Sequence, residues 1–142
     1  NIEILQGGTV AKTIQGYSRF IVFTDRPVNV NEKVGFRLLQ KGWLGAGGFG
    51  FTNKDPASIR NLADLNPHGL GTTPGFWTSS FTDISQNITE NGILEFYVSQ
   101  VHLRLGLNNI RVVINGVDTR RPLWAVLDVY GHNITWTLDT YN

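Results

Sequence analysis

Leu123-Trp124-Ala125-Val126-Leu127-Asp128-Val129-Tyr130 lies between the turn Asp118-Thr119-Arg120-Arg121-Pro122 and Gly131, and large apolar residues stand on both of its faces. In extended backbone successive side chains alternate. Leu123, Ala125, Leu127 and Val129 therefore project one way, and Trp124, Val126, Asp128 and Tyr130 the other. A strand apolar on both sides is covered on both, or carries a recognition surface on one. This one suits the middle of a β-sandwich that binds something, and nothing in it resembles an active site.

The rest of the chain repeats the pattern. Asn1 to Leu5, Thr9 to Thr13, and Tyr17 to Thr24 read as short strands, and Asp25-Arg26-Pro27 ends the third. Val34, Phe36 and Leu38 alternate with Lys33, Gly35 and Arg37, as in a half-buried strand. Phe49 and Phe51 sit in another strand, after a glycine cluster. Asp55-Pro56 is the one good helix start, with Asp55 as cap and Pro56 at the first helical position; it predicts one turn or two. Residues 64 to 75, rich in Pro and Gly, read as a long surface loop. Ile93 to Ser99, Val101 to Leu107 and Ile110 to Ile114 follow as strands. Asn108-Asn109 suits a hairpin tip, and Asn115-Gly116 another turn. A last strand carries Ile134, Trp136 and Leu138 inward. About ten short strands separated by turn residues predict an all-β, two-sheet antiparallel sandwich with at most one short helical turn.

At 142 residues the chain forms one domain, 1–142, and buries enough surface to need neither disulfide nor metal. Twelve basic and eleven acidic residues leave almost no net charge, which argues against a nucleic-acid binder. With no cysteine there is no thiolate zinc site, hence no RING or zinc finger in this sequence. No stretch approaches the ~20 apolar residues of a membrane helix. The first residues already read as a strand and no methionine precedes them, so the chain is expected to be an excised domain of a larger, cytoplasmic protein. Two sequons, at Asn87 and Asn133, stand against about one expected by chance, and secretion is not inferred from them.

Gly45-Ala46-Gly47-Gly48-Phe49-Gly50 matches a dinucleotide-binding glycine pattern. That chemistry requires a helix N-terminus after the glycines, whereas Phe51-Thr52-Asn53 continues as strand and turn. The glycines instead mark a strand where two backbones, or a backbone and a ligand, come close. His68, His102 and His132 are scattered, and no Gly-x-Ser-x-Gly elbow is present. The expectation is no enzyme activity, no metal and no cofactor.

Aromatic residues are the better guide. Trp136, in line with Ile134 and Leu138, reads as core. Trp43 and the pair Phe76-Trp77 lie in or beside glycine-rich segments, where rings serve as recognition anchors or plug the end of a sandwich. Arg120-Arg121, before Pro122, stands at a strand entry where a guanidinium can meet a peptide carboxylate or carbonyl, or simply face solvent.

Several segments, in this order, resemble the neuralized homology repeat domain of the Neuralized family. They are Gly8-Thr9-Val10-Ala11, Ile21-Val22-Phe23-Thr24-Asp25-Arg26-Pro27-Val28, and Gly50-Phe51-Thr52-Asn53-Lys54-Asp55-Pro56-Ala57. Pro74-Gly75-Phe76-Trp77, Gly116-Val117-Asp118-Thr119-Arg120-Arg121-Pro122-Leu123-Trp124 and Leu127-Asp128-Val129-Tyr130-Gly131 complete the set. The resemblance implies a SPRY-like sandwich that binds proteins and does not catalyse. It implies recruitment of partners, through short Asn-containing segments such as those of Notch-ligand tails and Bearded-type proteins, to a ubiquitin ligase whose RING lies elsewhere. Other family members with several repeats and no RING serve as scaffolds. This chain departs from the ligase-type pattern at Gly47-Gly48, where an apolar-basic pair is usual, and in a shortened segment between Val98 and Val117.

The sequence reading is thus a module that binds a short linear segment of a partner protein. Tyr17, Trp43, Phe76, Trp77, Arg120 and Trp124 are expected to line its groove. A glycan-binding sandwich and a self-associating structural repeat are the alternatives.

Overall fold

A computed structural model describes residues 2–6, 10–12, 18–24, 26–29, 32–59, 73–81, 92–97, 100–105 and 108–141. Among them the chain forms nine strands: β1 (Ile2–Gln6), β2 (Val10–Lys12), β3 (Ser18–Phe23), β4 (Lys33–Thr52), β5 (Phe76–Ser80), β6 (Ile93–Tyr97), β7 (Gln100–Leu105), β8 (Asn108–Val113) and β9 (Trp124–Tyr141). A single 3-10 turn, Pro56–Ser58, is the only helical element described. Asp55 caps it by accepting from the Ala57 N–H at 2.9 Å.

Nine strands among the described residues stand against about ten expected, because two pairs of expected strands fuse and β5 is not among those expected. Val34–Leu38 and Phe49–Phe51 belong to the single 20-residue β4, and residues 123–130 and 134–138 join in the 18-residue β9. β4 carries register shifts between Leu38 and Gln40 and between Leu44 and Gly47, the second within the glycine cluster. Such irregularities bend a strand without ending its ladder. Asn108 and Asn109 open β8 and pair with Leu105 and Arg104, so they are ladder residues and not a hairpin tip.

The bends decide the architecture. The first half of β4 pairs with β6 and the second half with β5. The second half of β9 pairs with β2 and the first half with β3. One layer is therefore β2-β9-β4-β6-β7-β8 and the other β1-β3-β9-β4-β5, with β4 and β9 running through both. The two-sheet sandwich is one continuous sheet folded over. Pairing is antiparallel except between β1 and β3, which run parallel. The chain between these two visits β9 through β2, and that crossover returns it in the same direction.

Leu123, just before β9, and Ala125, Leu127 and Val129 on its inward face enter the main core, with Phe36, Leu38, Phe49, Phe51, Leu94, Phe96 and Trp136. Phe51 meets Phe96 edge-on across the layers at 5.7 Å, and Phe81 meets Trp136 at 6.2 Å. Trp136 is core, as its alignment with Ile134 and Leu138 suggests. The other face of β9 places Val126 in a second cluster with Ile21, Phe23 and Phe76, against which Ile59 packs. Both faces of the 123–130 stretch are thus covered.

The glycine pattern proves to be a close approach of two strands. Gly50 faces β5, where a Cβ would overlap the Trp77 carbonyl oxygen; a Cβ at Gly48 would lie 2.6 Å from the Ser79 carbonyl oxygen. Gly50→Ala is expected to lower stability by about 3 kcal/mol, or Tm by roughly 10 °C. Thermal denaturation followed by circular dichroism measures it, and an unshifted midpoint contradicts so tight a β4–β5 contact.

Candidate functional site

The segment linking edge strand β8 to central strand β9, residues 113–123, forms one wall of each of two grooves. The first groove, about 280 Å³, runs between β5 (Phe76, Trp77, Thr78, Ser79) and Val113, Ile114 and Asn115. Val113 is 49% exposed, an apolar side chain at the end of an edge strand. Trp77 packs one side on the main core and keeps partial exposure. The Asn115-Gly116 turn stands beside it: Gly116 has φ +76°, and a Cβ there would lie 3.9 Å from Trp77 Cδ1.

The second groove, about 370 Å³, lies between Pro27, Val28 and Asn29 after β3 and Thr119, Arg121, Pro122 and Leu123 before β9. The main chain joins its two walls. Val28 N–H donates to the Leu123 carbonyl at 2.7 Å, and Thr24 N–H to the Ala125 carbonyl at 3.2 Å. The Thr24 hydroxyl oxygen accepts in turn from Ala125 N–H. Arg26 grips the buried Glu32 with two hydrogen bonds, 2.9 and 2.6 Å, and Glu32 N–H donates to the Asn29 carbonyl. Arg26 and Asn29 are thereby tied to Glu32, and Val28 to the residue that precedes β9.

On the opposite wall Asp118 organises the turn. Its carboxylate accepts from the Arg120 main-chain N–H at 3.1 Å and from Arg120 Nε at 3.0 Å. The Arg120 hydrogen bonds, side chain first and then backbone, hold the Asp118 carboxyl below the usual carboxylate range, and the same pairing raises Arg120. Among the described residues no group of three or more His, Asp or Glu could hold a metal ion, and no helix is long and apolar enough to cross a membrane.

The residues singled out from sequence separate here. Phe76 and Trp77 reach the first groove, but the Phe76 ring is only 3% exposed and packs edge-on against Phe23 at 6.4 Å. Trp77 is the accessible member of the pair. Arg120 has its guanidinium on Asp118, while its neighbour Arg121 lines the second groove. Trp124 is half-buried at the start of β9, opposite Thr52. Trp43 pairs with His132 in the β4–β9 ladder. Tyr17, His68 and the Asn87 sequon lie outside the described residues, as does the 64–72 part of the Pro/Gly-rich segment. Sequence reasoning missed Val113 and the Pro27/Pro122 walls. The paired prolines at strand ends were the available signal.

The Neuralized family profile matches residues 1–135. Protein neuralized of Drosophila virilis is 37% identical over 138 residues, which cover 93% of this chain and 18% of that protein. Human E3 ubiquitin-protein ligase NEURL1B is 34% identical over 120 residues, 78% of this chain and 21% of the relative. This chain thus spans about a fifth of the length of these curated relatives. The crystal structure of the Drosophila melanogaster neuralized NHR1 domain superposes with a TM-score of 0.73 at 30% identity, covering 93% of this chain and 87% of that one. With profile, sequence and fold in agreement, the chain belongs to the Neuralized family as a neuralized homology repeat domain.

Proposed function

We propose that this domain selects partner proteins by binding a short extended segment, as the recognition arm of a Neuralized-type ubiquitin ligase or of a scaffold built from the same repeat. The observation that carries the reading is the first groove: the accessible side of Trp77 faces the same opening as the exposed Val113, between an edge strand and a fixed turn. A half-exposed tryptophan set in a rigid frame offers large apolar area with little entropy left to lose, which is how interface anchors work. The relatives named as ubiquitin ligases support the setting. Partner segments are of the Asn-containing type found in Notch-ligand tails, whose amides satisfy the polar main chain beside the ring. Ordering a flexible segment costs several kcal/mol, so affinity in the micromolar range is expected.

Two measurements test this. Trp77→Ala is expected to weaken binding of a capped Asn-containing peptide from a Notch-ligand tail at least tenfold, or ~1.4 kcal/mol, while circular dichroism remains that of the folded domain. Unchanged affinity in a folded variant removes the groove from the reading. The second concerns pH. The Asp118 carboxyl is held below its ordinary value of 3.8, so its contribution to the turn is complete above that value and is lost only as pH falls through the lower, folded-state value. The Arg120 amide resonance and peptide affinity should therefore stay level with respect to this group from pH 8 down to about 4. A midpoint for Asp118 above 4 in NMR titration contradicts the pairing.

A further inference from the structure

We propose that the second groove reads an aliphatic side chain followed by a carboxylate on the partner segment, and that Arg121 is the residue that selects the carboxylate. This rests on the peptide-binding reading above and names the chemistry of one further contact. The floor is apolar: Val28 is 5% and Leu123 3% exposed, and the rings of Pro27 and Pro122 flank them. At about 370 Å³ the groove has room for a single aliphatic side chain and its neighbours.

Main-chain donors in the walls are few. Pro27 and Pro122 have no N–H, Val28 N–H is held by the Leu123 carbonyl, and Asn29 N–H points to Glu32 Oε1 at 3.5 Å. Thr119, Arg121 and Leu123 keep main-chain N–H groups on the opposite wall, and a charged side chain adds selectivity to them. The described charges around the groove cancel in pairs, Arg26 with Glu32 and Arg120 with Asp118. Arg121 is exposed, lines the groove and, among the described residues, makes no hydrogen bond or ion pair; its charge acts on Asp118 only at longer range, behind Arg120. A guanidinium on an apolar groove complements an acidic residue beside an aliphatic one, and its planar fork suits a carboxylate in two-point contact. The adjacent Arg120 cannot take this part without breaking the hydrogen bonds that set the turn.

The test is selection from a phage-displayed random dodecapeptide library against the whole chain and against R121Q, R120Q and W77A. The wild type is expected to enrich peptides with Asp or Glu next to Leu, Ile or Val. R121Q should lose the acidic position, and R120Q should keep it. A capped synthetic peptide of the winning sequence should bind R121Q about tenfold more weakly at physiological salt, with R121K in between and melting temperatures alike. Its affinity for the wild type should fall as salt rises, and for R121Q barely change. Acidic enrichment that survives in R121Q overturns the inference. So does a consensus without an acid that depends on Trp77, which leaves the peptide-binding reading intact. If no peptide is enriched even on the wild type, both fall. A wild-type dimer in sedimentation that R121Q abolishes makes a second copy the occupant and likewise overturns it.

Discussion

The antiparallel ladder between β4 and β9 is the feature to which every other element is attached. It runs from Lys33 opposite Tyr141 to Thr52 opposite Trp124, and each remaining strand reaches one of these two directly or through its neighbours, β8 by way of β7 and β6. Two long strands that bend together bring β6 over β5's layer, and the main core is what lies in the fold between them. The bends need places where the ladder slips. The glycine-rich stretch supplies one, since Gly47, with φ +134° and the Asp128 carbonyl where a Cβ would stand, admits no side chain.

The proposed binding surface inherits its order from that frame. Residues 113–123 leave an edge strand and enter the central one, so the segment is tied at both ends to the sheet. Between them the Asp118 turn and the Val28–Leu123 hydrogen bond fix its course. A wall held this way loses little conformational freedom when a partner settles on it, and more of the contact energy remains as affinity. The same local bonds assign charge. Glu32 and Asp118 each hold one arginine, and the third faces the groove.

Much of the fold was legible because its signals are local. Alternation in 123–130 predicted a strand covered on both faces or bearing a recognition surface on one; Leu123, Ala125, Leu127 and Val129 lie in the main core, and Val126 lies in the second cluster. The Asp55-Pro56 cap behaved as its chemistry dictates. Strand length was not legible: whether Gly45–Gly50 ends a strand or bends one depends on the backbone lying across from it, here Trp77 to Ser79, which no window of sequence contains. The site was half legible for the same reason. A Phe76-Trp77 pair must send its rings to opposite faces, but which ring meets a finished core depends on Phe23, far away in the chain. Arg120 and Arg121 are chemically identical in sequence, and they part only when Asp118 folds back onto one of them.

The central position of β9 also governs how such a domain is made. Its partners β2, β3 and β4 all precede it by tens of residues, so most stabilising pairs join distant parts of the chain. Loop closure must come before the reward, which marks a slow folder. During synthesis the earlier strands wait with unsatisfied edges until residues 124–141 emerge. A nascent chain interrupted before Trp124 has neither a shared strand for its two layers nor a lid for its core, and it is a natural client for chaperones.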